Sequence, residues 1–150
     1  MANDKLEKEL PSLKTARYTV TSKRTVLYNC IAWAAGESHR CWWPDDSYYW
    51  PDKADRSVTI DAFVQAYATI GYIRCADGSV EDGLEKVAIY AAGGHPKHAA
   101  KQLADGTWSS KCGTLEDISH TLDGLKCPNY GEPVVFLSRP VPAVTAIDVA

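Results

Sequence analysis

The sequence Lys86-Val87-Ala88-Ile89-Tyr90-Ala91 is rich in apolar, β-branched and aromatic residues and is typical of a β-strand. Gly93-Gly94 then turns the chain, and two more short runs follow at residues 98–103 and 107–111. The segment between them, Ala104-Asp105-Gly106, contains an Asp-Gly pair, which between two such runs indicates a hairpin. This half of the chain therefore predicts antiparallel strands.

Helical patterns come before this predicted sheet. A short charged helix is expected at residues 4–10, where Pro11 stops it. An almost wholly apolar helix, capped by Thr25 or Asn29 and ended by Gly36, is expected to be buried. The clearest amphipathic helix begins after Thr59, ends at Gly71 and carries its apolar residues at Ile60, Phe63, Val64 and Tyr67.

The remaining patterns are shorter. Residues 18–21 alternate as a brief strand, and residues 133–137 predict the strand that closes the sheet. Thr114 and Asp117 resemble a capping box, so one late helix is predicted there with an apolar stripe of Leu115, Ile118, Leu122 and Leu125. Beyond Pro140 and Pro142 an extended tail or edge is expected. Helices followed by strands favour a single α+β domain over residues 1–150, with a mostly antiparallel sheet.

Composition narrows the classes of function. The net charge of −3 offers no basic field for nucleic acid or an anionic membrane surface. No run approaches the ~18 apolar residues that span a bilayer. The first ten residues mix both charge signs and lack the apolar stretch of a signal peptide, so a soluble cytoplasmic protein is expected, with delivery by a specialised secretion system left open.

The chain has 5 cysteines, an odd number at irregular spacings and without a C-x-x-C pair. This pattern disfavours a zinc site or a disulfide framework, and reduced thiols are expected. The aspartates between residues 45 and 55 lack the spacing and the glycine of a calcium loop. We therefore expect no metal and no cofactor.

One cysteine and one histidine are candidates for a catalytic pair. If Asn29 caps the second helix, Cys30 is its first residue, and a helix N-terminus lowers a thiol pKa because its N–H groups carry partial positive charge. His98 lies at the start of a predicted strand, where it is able to supply the imidazole that a cysteine nucleophile needs. The alternative for Cys30 is a small residue buried in the core, and His98 alone is more often structural. His120 is expected to be structural, late in its helix.

The run Asn29-Cys30-Ile31-Ala32-Trp33 resembles the nucleophile helix of papain-like and NlpC-type cysteine peptidases and amidases. His98-Ala99, followed by Trp108-Ser109-Ser110-Lys111-Cys112-Gly113, is similar in plan to the histidine strand and returning strand of that superfamily. The resemblance implies a papain-like or NlpC-like core with helices packed on the sheet, and a cysteine-dependent amide hydrolase or transferase. Peptidoglycan stem peptides or proteins are the implied substrates.

The sequence also departs from that pattern. NlpC-type enzymes carry their base at the start of the strand that residues 86–90 resemble, and Lys86 stands there. His98 would then be either the base of a papain-like arrangement or part of a degenerate site. A two-residue turn would place Ser109 and Lys111 on the face of His98, whereas a three-residue turn would place Trp108 and Ser110 there. Ser110 is our choice as the orienting residue.

The loop at residues 36–56, between the apolar helix and the amphipathic helix, suggests a second function. It carries Trp42, Trp43 and Trp50, and aromatic faces are able to line a cleft for a peptide, a glycan or a protein partner. With Asn29, Trp33 and Trp108 these are the expected substrate-binding residues. Two interpretations of the loop remain: a recognition surface of a non-catalytic domain, or a loop held to the core by its own rings.

Overall fold

The computed structural model describes residues 4–141. Within these residues the chain forms three helices, two single 3-10 turns at Pro11–Lys14 and Asp123–Leu125, and seven strands. The helices are α1 (Asp4–Glu9), α2 (Cys30–Ala34) and α3 (Ile60–Ala68). The strands are β1 (Tyr18–Ser22), β2 (Ile73–Cys75), β3 (Leu84–Ala92), β4 (His95–Gln102), β5 (Trp108–Lys111), β6 (Asp117–His120) and β7 (Glu132–Pro140).

The seven strands form one antiparallel sheet in the order β1-β6-β5-β4-β3-β7-β2. The α+β class and the antiparallel sheet are therefore confirmed. The β4–β5 hairpin is confirmed as well, and Leu103 and Thr107 are joined across its three-residue turn. Gly106 adopts a φ of 90°, a conformation that L side chains rarely take.

One face of the sheet carries the larger core. There α2, α3 and the loop between them cover Val87, Ile89, Ala99 and Leu137. The cap of α3 is Thr59, as the sequence predicts, and its hydroxyl accepts a hydrogen bond from the Ala62 N–H. Tyr67 reaches from α3 to α2, where its hydroxyl donates to the Ile31 carbonyl at 2.9 Å. The two short helices are thus held together as one layer.

The opposite face of the sheet carries the second core. Leu6 from α1, Leu10 directly after it and Leu13 from the first 3-10 turn cover Ala88, Tyr90 and Ala100. Because successive residues of a strand point to opposite faces, Ala99 belongs to the first core and Ala100 to the second. This alternation decides on which face each candidate site residue lies.

The late helix predicted from Leu115, Ile118, Leu122 and Leu125 is wrong. Residues Asp117–His120 form strand β6, which is hydrogen-bonded to β1 on one side and β5 on the other. Pairing on both edges outweighs the helical spacing of four apolar residues, because it satisfies the backbone of every residue in the segment. Only the 3-10 turn at Asp123–Leu125 keeps a helical conformation.

The last strand runs further than the sequence predicts. Pro140 is the last residue of β7 rather than part of a tail, while Pro142 lies outside the described residues. Within residues 4–141, the helices are all too short to cross a lipid bilayer.

The loop between α2 and α3 is held by its own rings. Trp42 and Trp50 are each 1% exposed, and Trp42 stacks on Tyr67 while Trp50 packs on Phe63. The indole N–H of Trp42 donates to Glu37 and that of Trp50 to the Asp55 carbonyl. The loop is therefore part of the core.

We expect Trp42→Ala to lower the free energy of unfolding by about 3–5 kcal/mol, because it empties a fully buried site. Tyr48→Ala on the same loop is the matched control, since Tyr48 is 49% exposed and should change stability by less than about 0.5 kcal/mol. Urea denaturation measures both. Equal losses from the two variants would contradict the packing described for this loop.

Candidate active site

Asn29 fixes the start of α2 and ties it to the aromatic loop. Its Oδ1 accepts hydrogen bonds from the Ala32 N–H at 3.1 Å and the Trp42 N–H at 3.0 Å. Its Nδ2 donates to the Trp42 carbonyl at 2.8 Å. The cap predicted from the sequence is present, and Cys30 is the first helical residue. The amide that was expected to bind substrate is engaged by the protein itself.

The thiol of Cys30 lies against the sheet where β4 and β5 separate. These strands pair only through Lys101 with Ser109 and Gln102 with Trp108, and α2 packs across both strands beyond that point. The N–H groups of Ala99, Ile31 and Cys30 act on the sulfur and lower its pKa, as does the positive charge of Lys111. Burial outweighs them and raises the pKa of Cys30 to about 11. The lowered pKa expected from the helix N-terminus is not found in this conformation.

His98 and Ser110, the other two expected catalytic residues, are in contact. His98 Nε2 lies 2.9 Å from Ser110 Oγ, and both residues are completely buried. The same hydroxyl lies 2.7 Å from His120 Nε2, and His120 Nδ1 lies 2.7 Å from the Thr121 carbonyl. The three side chains form a continuous hydrogen-bonded chain on the face of the sheet that α1 covers.

The hydrogen positions along this chain follow from its end. The Thr121 carbonyl only accepts, so His120 Nδ1 carries a hydrogen. Burial lowers the pKa of His120 to about 4, so the ring is neutral at pH 7 and its Nε2 accepts from the Ser110 hydroxyl. That hydroxyl has a single hydrogen, so His98 Nε2 must donate to it.

His98 is left with a bare nitrogen inside the protein. Burial, with the nearby His120 as a second cause, holds its pKa well below the ordinary value, so the ring is neutral. Its Nε2 carries the hydrogen, and its Nδ1 is therefore an unprotonated acceptor. That atom is buried and has no hydrogen-bond partner. A buried acceptor without a partner costs free energy, and a catalytic role is one of the recognised reasons for keeping one.

Two aromatic rings enclose His98. Tyr130 stacks on the imidazole with ring centroids 4.1 Å apart and planes inclined by 11°, and Tyr90 meets it edge-on at 5.5 Å. Tyr130 lies within the turn at residues 127–131, which a pair of hydrogen bonds between Cys127 and Gly131 closes. Gly131 has a φ of 75°, and a Cβ there would lie 1.8 Å from the Ala91 carbonyl oxygen. Only glycine fits this position, and it sets where Tyr130 stands.

Cys30 and His98 are neighbours without being hydrogen-bonded. The Ala99 N–H, which acts on the Cys30 sulfur, belongs to the peptide unit that joins Ala99 to His98. The His98 ring, however, projects to the face opposite the Ala99 side chain. Its Nε2 is bonded to Ser110 and its Nδ1 to no group. The structure therefore brings His98 and Ser110 together and leaves the thiol on the other side of the strand.

The tryptophans expected to bind substrate are distributed over both cores. Trp42 and Trp50 are buried, and Trp43 packs edge-on against Phe63. Trp33 stacks on Tyr28, donates to Ser109 Oγ at 2.9 Å and lies under the Lys101 ammonium. Trp108 is buried on the other face of the sheet against Phe136. Trp42, Trp50 and Trp108 are thus used in packing, whereas Trp33 and Trp43 are half-buried.

The other groups that bear on the chemistry are Lys86, the cysteines and the possible metal ligands. Lys86, which stands where NlpC-type enzymes have their base, is buried and paired with Glu81 at 2.6 Å. The five cysteines all lie within the described residues and are free thiols. No cluster of three or more histidine, cysteine, aspartate or glutamate side chains within residues 4–141 is placed to hold a metal ion.

Sequence reasoning missed His120 and Tyr130. His120 was expected in a helix, and its place on β6 is visible only as the brief alternation Asp117-Ile118-Ser119-His120. Nothing in the sequence around Tyr130 connects it with His98, 32 positions earlier. Both residues reach the site through contacts between distant segments.

Comparison with protein families gives one match. A family model described as a domain of unknown function, DUF7689, matches residues 19–138. The chain belongs to the DUF7689 family. No curated protein and no solved structure matches the chain. The DUF7689 region includes Cys30, His98, Ser110, His120 and Tyr130, so the site lies wholly within it, whereas α1 lies outside.

The neutral histidines predict how stability depends on pH. Their pKa values are lowered in the folded state, so the unfolded chain takes up protons first as the pH falls below about 6.5. Between pH 7 and pH 5 each buried ring should cost about 2 kcal/mol of unfolding free energy. His120→Asn, which keeps an N–H for the Thr121 carbonyl, should remove about half of the loss that the two rings cause.

Urea denaturation of the parent and of His120→Asn at pH 7 and pH 5 checks this expectation. His39→Asn is the matched control, because the His39 side chain is 70% exposed and should leave the pH dependence unchanged. If His120→Asn loses as much stability as the parent, His120 is not the buried neutral ring described above.

Proposed function

We propose that this chain is a cysteine-dependent amide hydrolase or transferase, with Cys30 as nucleophile, His98 as base and Ser110 as the residue that orients the base. The observation that carries the proposal is the buried Nδ1 of His98, which has no hydrogen-bond partner and belongs to the residue next to Ala99, whose N–H acts on the Cys30 sulfur. Peptidoglycan stem peptides or protein side chains are the substrates we expect. The site needs no metal or cofactor for this chemistry.

The reaction follows from the positions of the donors. In an opened conformation that brings the Cys30 thiol and the His98 ring into contact from the opposite faces of β4 on which they now lie, the thiol passes its proton to Nδ1 as the sulfur attacks the amide carbon. Backbone N–H groups around the sulfur, including those of Cys30 and Ala99, stabilise the oxyanion. His98 Nδ1 then returns the proton to the leaving nitrogen, and the acyl group stays on the sulfur. Water or an acceptor amine attacks the thioester in the second step and restores the thiol.

We interpret the conformation described above as a closed form of the enzyme. Burial is the largest cause of both unfavourable shifts, since it raises the pKa of Cys30 and lowers that of His98. Because the two shifts share a cause, admitting water would relax both at once and bring the thiol and imidazole closer to a proton exchange. Tyr130 is the ring that covers His98, so its displacement is the simplest opening.

The finer fold assignment is a proposal of the same kind. A papain-like or NlpC-like core is supported by a cysteine that opens a packed helix and a histidine that follows on an antiparallel strand. It is also supported by a serine on the next strand that bonds the histidine. Lys86 at the position of the NlpC-type base favours the papain-like use of His98.

A non-catalytic binding domain is the second candidate. The raised pKa of Cys30 and the position of its thiol on the other side of β4 from the His98 ring favour it. For such a domain the loop between α2 and α3 offers a smaller recognition surface than the sequence suggests. Trp42 and Trp50 are buried, and Tyr48 and Tyr49 are its exposed rings. The alkylation experiment below separates the two functions.

We expect Tyr130→Ala to increase the rate at which iodoacetamide alkylates Cys30 at pH 7.5. A thiol that returns from a pKa of about 11 to its ordinary value gains on the order of a hundredfold in thiolate. Loss of burial alone accounts for this gain, so the imidazole is identified by a further rise in labelling that adding His98→Ala to Tyr130→Ala removes. Mass spectrometry of the labelled peptides measures each cysteine separately, and Cys41 and Cys75 serve as internal references.

A neighbouring pair of serines supplies the matched control. In the Tyr130→Ala background, Ser110→Ala should lower Cys30 labelling by about tenfold, because His98 is then free to place its hydrogen on Nδ1. Ser109→Ala, on the opposite face of β5, should leave the His98 tautomer unchanged. If neither His98→Ala nor Ser110→Ala changes the rate of Cys30 labelling, the hydrolase is refuted and the binding domain remains.

A further inference from the structure

A cavity of about 290 Å³ lies behind Tyr130. Three segments form it: α1, the turn that follows β5 and the turn at residues 127–131. Its inner wall includes Leu10, Cys112, Leu115 and Tyr130, and its polar wall includes Thr114 and Asn129. Pockets for small ligands begin at roughly 300 Å³, so this one accommodates a ligand of one or two amino-acid residues rather than a long chain.

Tyr130 connects this cavity with the proposed active site. One side of the ring lines the cavity and the ring also covers the His98 imidazole. Cys112, on the same wall, follows Lys111, whose positive charge acts on the Cys30 thiol. Displacement of the Tyr130 ring would therefore open the cavity toward His98 Nδ1, the atom without a partner.

The rim of the cavity carries one charge of each sign. Lys5 and Glu9 both line it, and their spacing of four residues places them on the same face of α1. No ion pair joins the two side chains in the part of the chain that the structure describes. Burial is the main cause of the raised pKa of the Tyr130 phenol, and the charge of the Glu9 carboxylate adds to it as the smallest of several causes. The ammonium group of a ligand would pair with Glu9, and its carboxylate would pair with Lys5.

We infer that this cavity is the substrate pocket of the proposed reaction and that it binds a small zwitterionic amide of dipeptide size, with its amide bond turned toward Tyr130. The inference rests on the proposed function for the chemistry at Cys30. The binding itself depends only on the cavity and on its two rim charges. The two parts are therefore tested by different measurements.

The test is a titration of the full-length Cys30→Ala variant, followed by two-dimensional ¹H–¹⁵N NMR. Glycylglycine is the zwitterionic probe, and N-acetylglycinamide is a neutral probe of similar size. We expect glycylglycine to shift the backbone amides of residues 113–115 and 129–131 and to bind about tenfold more tightly than the neutral compound. Lys5→Gln and Glu9→Gln should each weaken the binding of glycylglycine by roughly tenfold.

Lys8→Gln is the matched control, because Lys8 is an exposed residue of the same helix that does not line the cavity. Its titration should equal that of the parent variant. Equal binding of the two probes, shifts confined to other residues, or no binding of glycylglycine would overturn the inference. If glycylglycine binds as expected while Cys30 in Tyr130→Ala stays unreactive, the pocket stands and the hydrolase fails. The reverse pair of results rejects the pocket alone.

Discussion

The Ser110 hydroxyl lies between two buried histidines, and its single hydrogen determines the rest of the site. The Thr121 carbonyl fixes the tautomer of His120, which then takes the hydrogen of Ser110. His98 must in turn donate to Ser110 and keep its other nitrogen bare. Strands β4, β5 and β6 supply one member each, so the register of the sheet is also the geometry of the site.

Burial has two opposite consequences in this molecule. It gives the three polar side chains a fixed arrangement, because a buried hydroxyl and two neutral rings satisfy one another without water. It also weakens the acid–base strength of the groups that would react, since it raises the pKa of Cys30 and lowers that of His98. In the proposed reaction this arrangement is the closed form, and the ring of Tyr130 is the part that we propose controls access.

The sequence predicts the local features of the site and misses the distant ones. The Asn29 cap, the Asp105-Gly106 hairpin and the contact of His98 with Ser110 each depend on residues within one or two neighbouring elements, and all are present. His120 and Tyr130 arrive from segments that pair only in the folded sheet. The helix expected around Ile118 is wrong for the same reason, because that segment pairs with β1 on one side and with β5 on the other. The sequence leaves two interpretations of the loop between α2 and α3, and the burial of Trp42 and Trp50 favours the one in which the loop is held to the core by its own rings.

The most direct test of this account is the tautomer of His98 at pH 7, read from long-range ¹H–¹⁵N correlations of the imidazole rings. The account predicts a neutral His98 ring with its hydrogen on Nε2 and a bare Nδ1, and the opposite tautomer for His120. His98→Ala and His120→Asn spectra assign the two rings. A charged His98 ring, or one with its hydrogen on Nδ1, would contradict the hydrogen-bond order through Ser110 and remove the base from the proposed reaction.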